Sequence, residues 1–308
     1  MSGLLPAPGK TMTRLLVRVM AVLSYSLGMA QAGDPNPPPT KIRITSGESI
    51  AFLGDSITEQ AWTSVNGYGG WYQPVGHIHL IMRELEANGI KATAIPAGVG
   101  GNTSRDMLAR FQRDVLDKKP TWLTLSCGVN DLGPWFKDNG RNVPLPEFKS
   151  NVTAMIDQAL AAGIKVIVLT ATPIYEDQPT SEANATLVQY NDFLRVVAKE
   201  KNCVLTDVSA EVLARRAALI AATGSNENKV TSDGVHMNTE GSMATARAIL
   251  RTFGFTKAQL DKAQNEWLDI PDSVKLPGQT RSGTIRQRDQ LLKAADAGKS
   301  GLAPNPPH

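Results

Sequence analysis

A serine hydroxyl, a carboxylate and an imidazole can together cleave an acyl bond, and this 308-residue chain places all three where such chemistry needs them. Ser56 follows Gly54-Asp55 directly after the apolar run Ser49–Leu53, where glycine lets the chain bend sharply. Far along the chain, Asp233-Gly234-Val235-His236 sets a carboxylate three residues before a histidine. A helical turn there would hold their β-carbons roughly 5–6 Å apart. The carboxylate would then fix one imidazole tautomer, and the second ring nitrogen would take the proton of Ser56, a hydroxyl being a poor nucleophile without such a base. Each piece alone also fits a plainer role. Asp55-Ser56 and Asn130-Asp131 suit helix caps, and the segment from Asp233 to Asn238 suits a surface turn leading into a helix.

Other chemistries find less support. Gly98-x-Gly100-x-x-Thr103 and Gly67-x-Gly69-x-x-Tyr72 both lack the third glycine of a dinucleotide fingerprint, and no G-x-x-x-x-G-K-[ST] loop occurs. Gly9-Lys10-Thr11 lacks the earlier glycine and follows no strand. Of the four histidines, His77 and His79 lie two apart on an expected helix, which points them to different faces. No H-E-x-x-H cluster is present, and two cysteines are too few for a four-cysteine zinc site. The G-x-S-x-G elbow of the larger α/β-hydrolases is also missing.

The elements that must position Ser56, Asp233 and His236 can be read from the hydropathy pattern. Five short, mostly apolar runs, Ser49–Leu53, Ala92–Ala97, Thr121–Ser126, Lys165–Thr170 and Cys203–Thr206, read as strands covered on both faces. Amphipathic stretches near 70–88, 103–117, 146–162, 183–201, 208–222 and 239–253 read as helices. This alternation predicts an α/β domain with a parallel sheet between two helical layers. Ligands then bind beyond the carboxyl ends of the strands. The segments that follow the strands are therefore the ones that matter: Gly54–Thr58, Gly98–Thr103, Cys127–Asp131 and Ala171–Pro173.

Composition bounds the rest. With 42% hydrophobic and 20% charged residues, the chain is neither a disordered, collagen-like nor polytopic membrane sequence. Its net charge of +3 equals the contribution of Lys10, Arg14 and Arg18, so the sequence beyond residue 32 is balanced and offers no basic surface for nucleic acid. Residues 1–32 read as a secretory signal peptide: a positive start, the short apolar run Val19–Ala30, and Ala30-Gln31-Ala32 as the cleavage site. That run is too short to span a bilayer core needing roughly 20 apolar residues. The expectation is export to the periplasm or medium, without stable membrane insertion after cleavage and without a lipid anchor. Residues 33–48 form a Pro-rich linker and lead-in, 49–254 the catalytic domain, and 255–308 a C-terminal extension. In the extension, Thr256–Leu268 is expected to be a helix anchored by Trp267, Gln287–Ala297 a second helix, and Gly298–His308 a disordered end.

Taken together, four separated blocks resemble the SGNH hydrolases, also called GDSL esterases and lipases, and the resemblance covers residues 49–253. Gly54-Asp55-Ser56 matches the first block, Gly98-Val99-Gly100-Gly101-Asn102-Thr103 the second, Gly128-Val129-Asn130-Asp131 the third and Asp233-Gly234-Val235-His236 the fourth. Many relatives carry asparagine where this chain has Pro96, a departure that bears on the local loop. The resemblance implies a flavodoxin-like, three-layer αβα fold around a five-stranded parallel sheet, and ester hydrolysis through an acyl-enzyme. It implies Ser56, Asp233 and His236 as the catalytic triad and the N–H of Ser56, the N–H of Gly101 and the side chain of Asn130 as the oxyanion hole, with no metal or cofactor. It also implies a sheet order in which the fourth strand separates Cys127 from Cys203 by about 9–10 Å, beyond disulfide reach.

The substrate is less legible. Trp62, Tyr68, Trp71 and Tyr72 crowd the segment after Ser56, and Trp135-Phe136 follows the third block. Aromatic faces beside polar groups suit sugars as well as acyl chains, and packing explains Trp71 and Tyr72 equally well. Asp55, Trp62 and Trp135 are the expected substrate contacts. Export and a modest polar pocket favour deacetylation of carbohydrate. A lysophospholipase, a thioesterase and a broad short-chain esterase stay open as alternatives, as does acyl transfer to a sugar. A non-catalytic glycan-binding module would have lost a triad or oxyanion residue, and none is missing. The sequence gives no oligomeric state.

Overall fold

In the computed structural model the described residues are 42–63, 76–133 and 140–268. Residues 1–32, the aromatic residues Tyr68, Trp71, Tyr72, Trp135 and Phe136, the second expected C-terminal helix and the tail lie outside them. Five strands, β1 (Ser49–Gly54), β2 (Thr93–Gly98), β3 (Trp122–Ser126), β4 (Lys165–Leu169) and β5 (Val204–Thr206), form one parallel sheet in the order β2-β1-β3-β4-β5. This is the α/β fold with a five-stranded parallel sheet that the hydropathy pattern predicts. β2 lies at the sheet edge, where Pro96, which has no N–H to donate, costs no ladder bond.

Side chains alternate across β1, and the two faces carry separate apolar clusters. Ile50 and Phe52, with Trp122 and Ile167, pack against α2 (His77–Ala87), α6 (Val208–Thr223), α7 (Thr239–Phe253) and α8 (Lys257–Trp267). Ala51 and Leu53, with Leu123, Leu125 and Val168, pack against α3 (Ser104–Asp114), α4 (Leu145–Ala161) and α5 (Glu182–Glu200). Trp267 of α8 is fully buried in the first of these clusters. Cys127 and Cys203 are both free thiols, and β4 separates their strands. Cys127 is buried, while Cys203 is only partly so.

Two local features differ from the sequence expectation. A short helix, α1 (Ser56–Thr63), begins at the serine itself, with Asp55 accepting from the Ile57 N–H at 2.9 Å. Its aromatic residue Trp62 belongs to this helix by its backbone, and its side chain lies outside the described part. The segment Asp233–His236 is not a helical turn. It is the tip of a loop closed by an antiparallel bridge between Thr231 and Met237, and α7 starts just beyond it behind the Asn238 cap.

Candidate active site

Ser56 occupies the first position of α1, two residues past the end of β1. Asp55 caps the helix, as the plainer reading of Asp55-Ser56 has it, and Ser56 points across to the distant loop. Its Oγ lies 2.9 Å from Nε2 of His236, and Nδ1 of His236 lies 2.6 Å from Oδ2 of Asp233. The second oxygen of Asp233 accepts the N–H groups of Val235 (3.0 Å) and His236 (2.8 Å). This side-chain-to-backbone turn gives the carboxylate–imidazole approach that a helical turn was expected to supply. Partial burial pushes the Asp233 carboxyl up, but the bonds from the His236 ring and from these two N–H groups outweigh it and hold the pKa below the usual value. A carboxylate that stays ionised is what a neighbouring imidazole needs to accept a proton.

The loop carrying Asp233 and His236 is held from below. Glu176, 2% exposed, accepts the N–H groups of Lys229, Val230 and Thr231 and the Thr231 hydroxyl. Nε of Arg216 lies 3.3 Å away, an ion contact without a hydrogen bond. The Glu176 N–H in turn donates to the Gly234 carbonyl at 3.0 Å, and Asn238 ties the loop to itself through the Lys229 and Thr231 carbonyls.

The other expected site residues sit on the loops after β2 and β3, which flank β1 in the sheet. The end of β2 presses so closely on α1 that a Cβ at Gly98 would overlap the main chain of Glu59. Gly101 has φ +73°, a conformation natural to glycine. Glu59, one turn beyond Ser56, accepts the Gly100 N–H at 3.0 Å and so ties the loop to α1. Asn130 is 5% exposed, and one hydrogen of its amide goes to the Asn102 carbonyl at 3.1 Å. An amide nitrogen carries two hydrogens, so this bond sets the orientation of the second. Asp131 caps a helix, as one reading of Asn130-Asp131 has it, but the helix is α3 from the neighbouring loop: it accepts the N–H and hydroxyl of Ser104.

Asp55 is turned inward. It is 2% exposed and, with His77, Cys127, Thr170, Thr172 and Thr245, lines a cavity of about 20 Å³. Burial pushes its carboxyl up to about 6, with the negative charge of Asp131 a lesser contribution in the same direction, and Asp131 is likewise raised by burial to about 6. Burial drives His77 down to about 3, so its ring stays neutral and unsuited to a cationic role. Trp135 lies outside the described residues. Among the described residues no group of three or more His, Cys, Asp or Glu is placed to hold a metal ion, and no helix is long and apolar enough to cross a membrane.

Sequence reasoning missed Glu59 and Glu176. Glu59 left a signal, since it stands one helical turn from Ser56. Glu176 left none, being one carboxylate in a loop whose partners come from more than fifty residues later.

A three-layer α/β sheet with a serine, a histidine and an aspartate in relay at its carboxyl end defines a hydrolase of the serine type. Residues 52–244 match the GDSL-like lipase/acylhydrolase family. An acetylxylan esterase of Geobacillus stearothermophilus is 30% identical over 225 residues, covering 70% of this chain and 97% of the relative. The crystal structure of that esterase superposes with a TM-score of 0.58 at 26% identity, again over 70% of this chain and 97% of that one. An α/β hydrolase from the metagenome of Lake Arreo gives a TM-score of 0.58 at 25% identity, over 69% and 98% of the two chains. An uncharacterised lipoprotein of Bacillus subtilis is 29% identical over 177 residues, or 52% of this chain and 70% of its own. The chain belongs to the GDSL-like lipase/acylhydrolase family, and it is a carboxylic ester hydrolase.

Proposed function

We propose that the protein is an exported esterase that removes acetyl groups from carbohydrate through an acyl-enzyme on Ser56. The reading rests on one observation above others, the unbroken relay from Asp233 through His236 to Ser56 at 2.6 and 2.9 Å. In this reading His236 takes the hydroxyl proton as Ser56 Oγ bonds to the acyl carbon, and the carbonyl oxygen becomes an oxyanion. The N–H groups of Ser56 and Gly101 and the Asn130 amide donate to it; the Ser56 N–H is at a helix N terminus, where negative charge is favoured. His236 then protonates the departing sugar oxygen. Water, deprotonated by the same imidazole, attacks the acyl-serine, releases acetate and restores the hydroxyl. Catalytic mutants of the Geobacillus esterase replace a serine, an aspartate and a histidine, the last two three residues apart. That spacing matches Asp233 and His236, and the acetylated xylan named for that enzyme supports the acetyl-glycan substrate class. Export rests on the composition of residues 1–32 and on the similarity to a lipoprotein.

The test compares p-nitrophenyl acetate, butyrate and octanoate, and then acetate release from acetylated xylo-oligosaccharide, with Ser56→Ala as control. Rates that fall with acyl length, acetate release from the glycan and loss of turnover by a factor on the order of 10⁶ in the variant are expected. Rates that rise with acyl length would transfer the substrate to lipid or thioester. A folded Ser56→Ala protein with the wild-type rate would remove the serine mechanism.

A further inference from the structure

Arg110, on α3, is largely covered, with a side chain 10% exposed. Its guanidinium reaches three different parts of the site's framework. Nη2 donates to the Gly54 carbonyl at 2.9 Å, at the end of β1 just before Asp55-Ser56. Nη1 donates to the Ala97 carbonyl at 2.9 Å, at the end of β2. Nε donates to the Asn102 side chain at 2.7 Å, in the loop that carries Gly101. Asp114, one turn on, balances the charge at 2.9 Å. The same Asn102 offers its main-chain carbonyl to the Asn130 amide, and the Gly54 carbonyl also accepts the Val99 N–H.

We propose that Arg110 is a positioning residue for ester hydrolysis, locking the strand end that presents Ser56 to the loops that present Gly101 and Asn130. The inference rests on the oxyanion-hole reading given above. Its logic is geometric. At the carboxyl end of a parallel sheet the ladder runs out and carbonyls keep a lone pair to offer, as the Gly54 carbonyl does beside its bond from the Val99 N–H, and a cation there meets their negative ends. A planar guanidinium with five N–H groups can satisfy separated acceptors at once, whereas a lysine ammonium, a compact point charge on a flexible stem, cannot. Burying a charge is unfavourable unless it is paired and hydrogen-bonded, and an apolar replacement often serves stability as well or better. A charge kept here and spread over two strand ends and a loop therefore points to placement of groups rather than to stability alone.

The experiment measures kcat and KM for p-nitrophenyl acetate in Arg110→Lys, Arg110→Met and Asn102→Ala. Rates are expressed per active site titrated with a fluorophosphonate that labels the serine. Misfolded molecules then drop out of the count, so a purely structural role leaves the rate per site unchanged. The expected result is a loss in kcat of roughly 10–100-fold for both Arg110 variants, since small misplacements of reacting groups have effects of that size. KM stays within about twofold, and Arg110→Lys is no better than Arg110→Met by more than a few-fold. Asn102→Ala removes only the link to the loop, needs no buried charge to be refilled and is expected to lose several-fold in kcat. The proposal falls if kcat per titrated site stays within twofold of wild type in Asn102→Ala and in whichever Arg110 variant folds. Asn130→Ala is run alongside in the same way, and Ser56→Ala, which the fluorophosphonate does not label, per mole of folded protein. If these two keep wild-type rates, the reading of the site itself has failed; if they lose activity while Arg110 and Asn102 variants do not, only this inference has.

Discussion

Ser56, Gly101 and Asn130 each follow a strand by no more than four residues, whereas Asp233 and His236 lie in a loop between the end of α6 and the start of α7. The first group inherits its placement from neighbouring strands of the sheet, spaced about 4.8 Å apart by backbone ladders. The second has no such ladder beyond a single bridge, Thr231 to Met237. It depends instead on one buried carboxylate, Glu176, which gathers three consecutive backbone N–H groups. A site can thus be half framework and half tether. On the framework side a substitution should damage chemistry and spare the fold; on the tether side the two losses should come together.

After Ser56 itself, the largest effect is expected at Asp233. Asp233→Asn keeps an acceptor for the Val235 and His236 N–H groups but presents an amide to the ring, which favours the wrong imidazole tautomer. The loss in kcat should be roughly 10⁴-fold, read by steady-state hydrolysis of p-nitrophenyl acetate. A loss under tenfold would mean that His236 is oriented by the loop backbone and not by the carboxylate.

Next comes the tether itself. Glu176→Gln turns an N–H₂ group toward donors that need an acceptor and leaves Arg216 without its counter-charge. It should lower the unfolding free energy by about 3 kcal/mol in urea titration, with kcat falling in the same protein. An unchanged midpoint would show that the bridge and Asn238 suffice, and would erase the contrast between the two halves.

Asn130→Ala tests the framework half. It should reduce kcat by roughly 10²–10³ with KM little changed, while stability falls by only about 1 kcal/mol for the lost bond to Asn102. A KM effect alone would take Asn130 out of the oxyanion hole. A stability loss as large as that of Glu176→Gln would make both halves equally fragile.

The same contrast explains what could be read in advance. The five strands were legible because burial on both faces leaves an uninterrupted apolar signal, and the residues just beyond each strand end inherited that legibility. Ser56 and Asn130 lie in such segments, and the D-x-x-H spacing was visible in the chain. The conformation that joins Asp233 to His236 was not, because a side-chain-to-backbone turn competes with a helical turn at the same spacing. Glu176 escaped because a lone acid in a loop has no period and no local partner. The inward turn of Asp55 escaped too: an aspartate at that place suits an exposed cap as well as a buried one, and only the packing of α1 on β1 and β2 decides between them.

Asp55 and Asp233 make the two halves respond oppositely to acid. Asp55 is held at about 6, above its ordinary 3.8, by burial. Below about pH 4 it is protonated both folded and unfolded and its contribution is flat. As pH rises toward 6 the unfolded chain loses this proton while the folded protein keeps it, so folding takes up a proton and stability falls; above 6 both forms are ionised and the penalty is constant. Asp233 is held below its ordinary value, so it contributes stability above the unfolded pKa that is lost as pH falls through the folded one. Asp55→Asn keeps the acceptor for the Ile57 N–H and removes the titration. Urea unfolding of both proteins between pH 4 and 7 should find the wild type losing ground to the variant by up to about 3 kcal/mol as pH rises to about 6, with parallel curves above. Parallel curves from pH 4 upward would mean that Asp55 meets water in its cavity and carries an ordinary carboxyl. The framework half would then owe nothing to a buried acid, and the acid sensitivity of the site would lie with Asp233 alone.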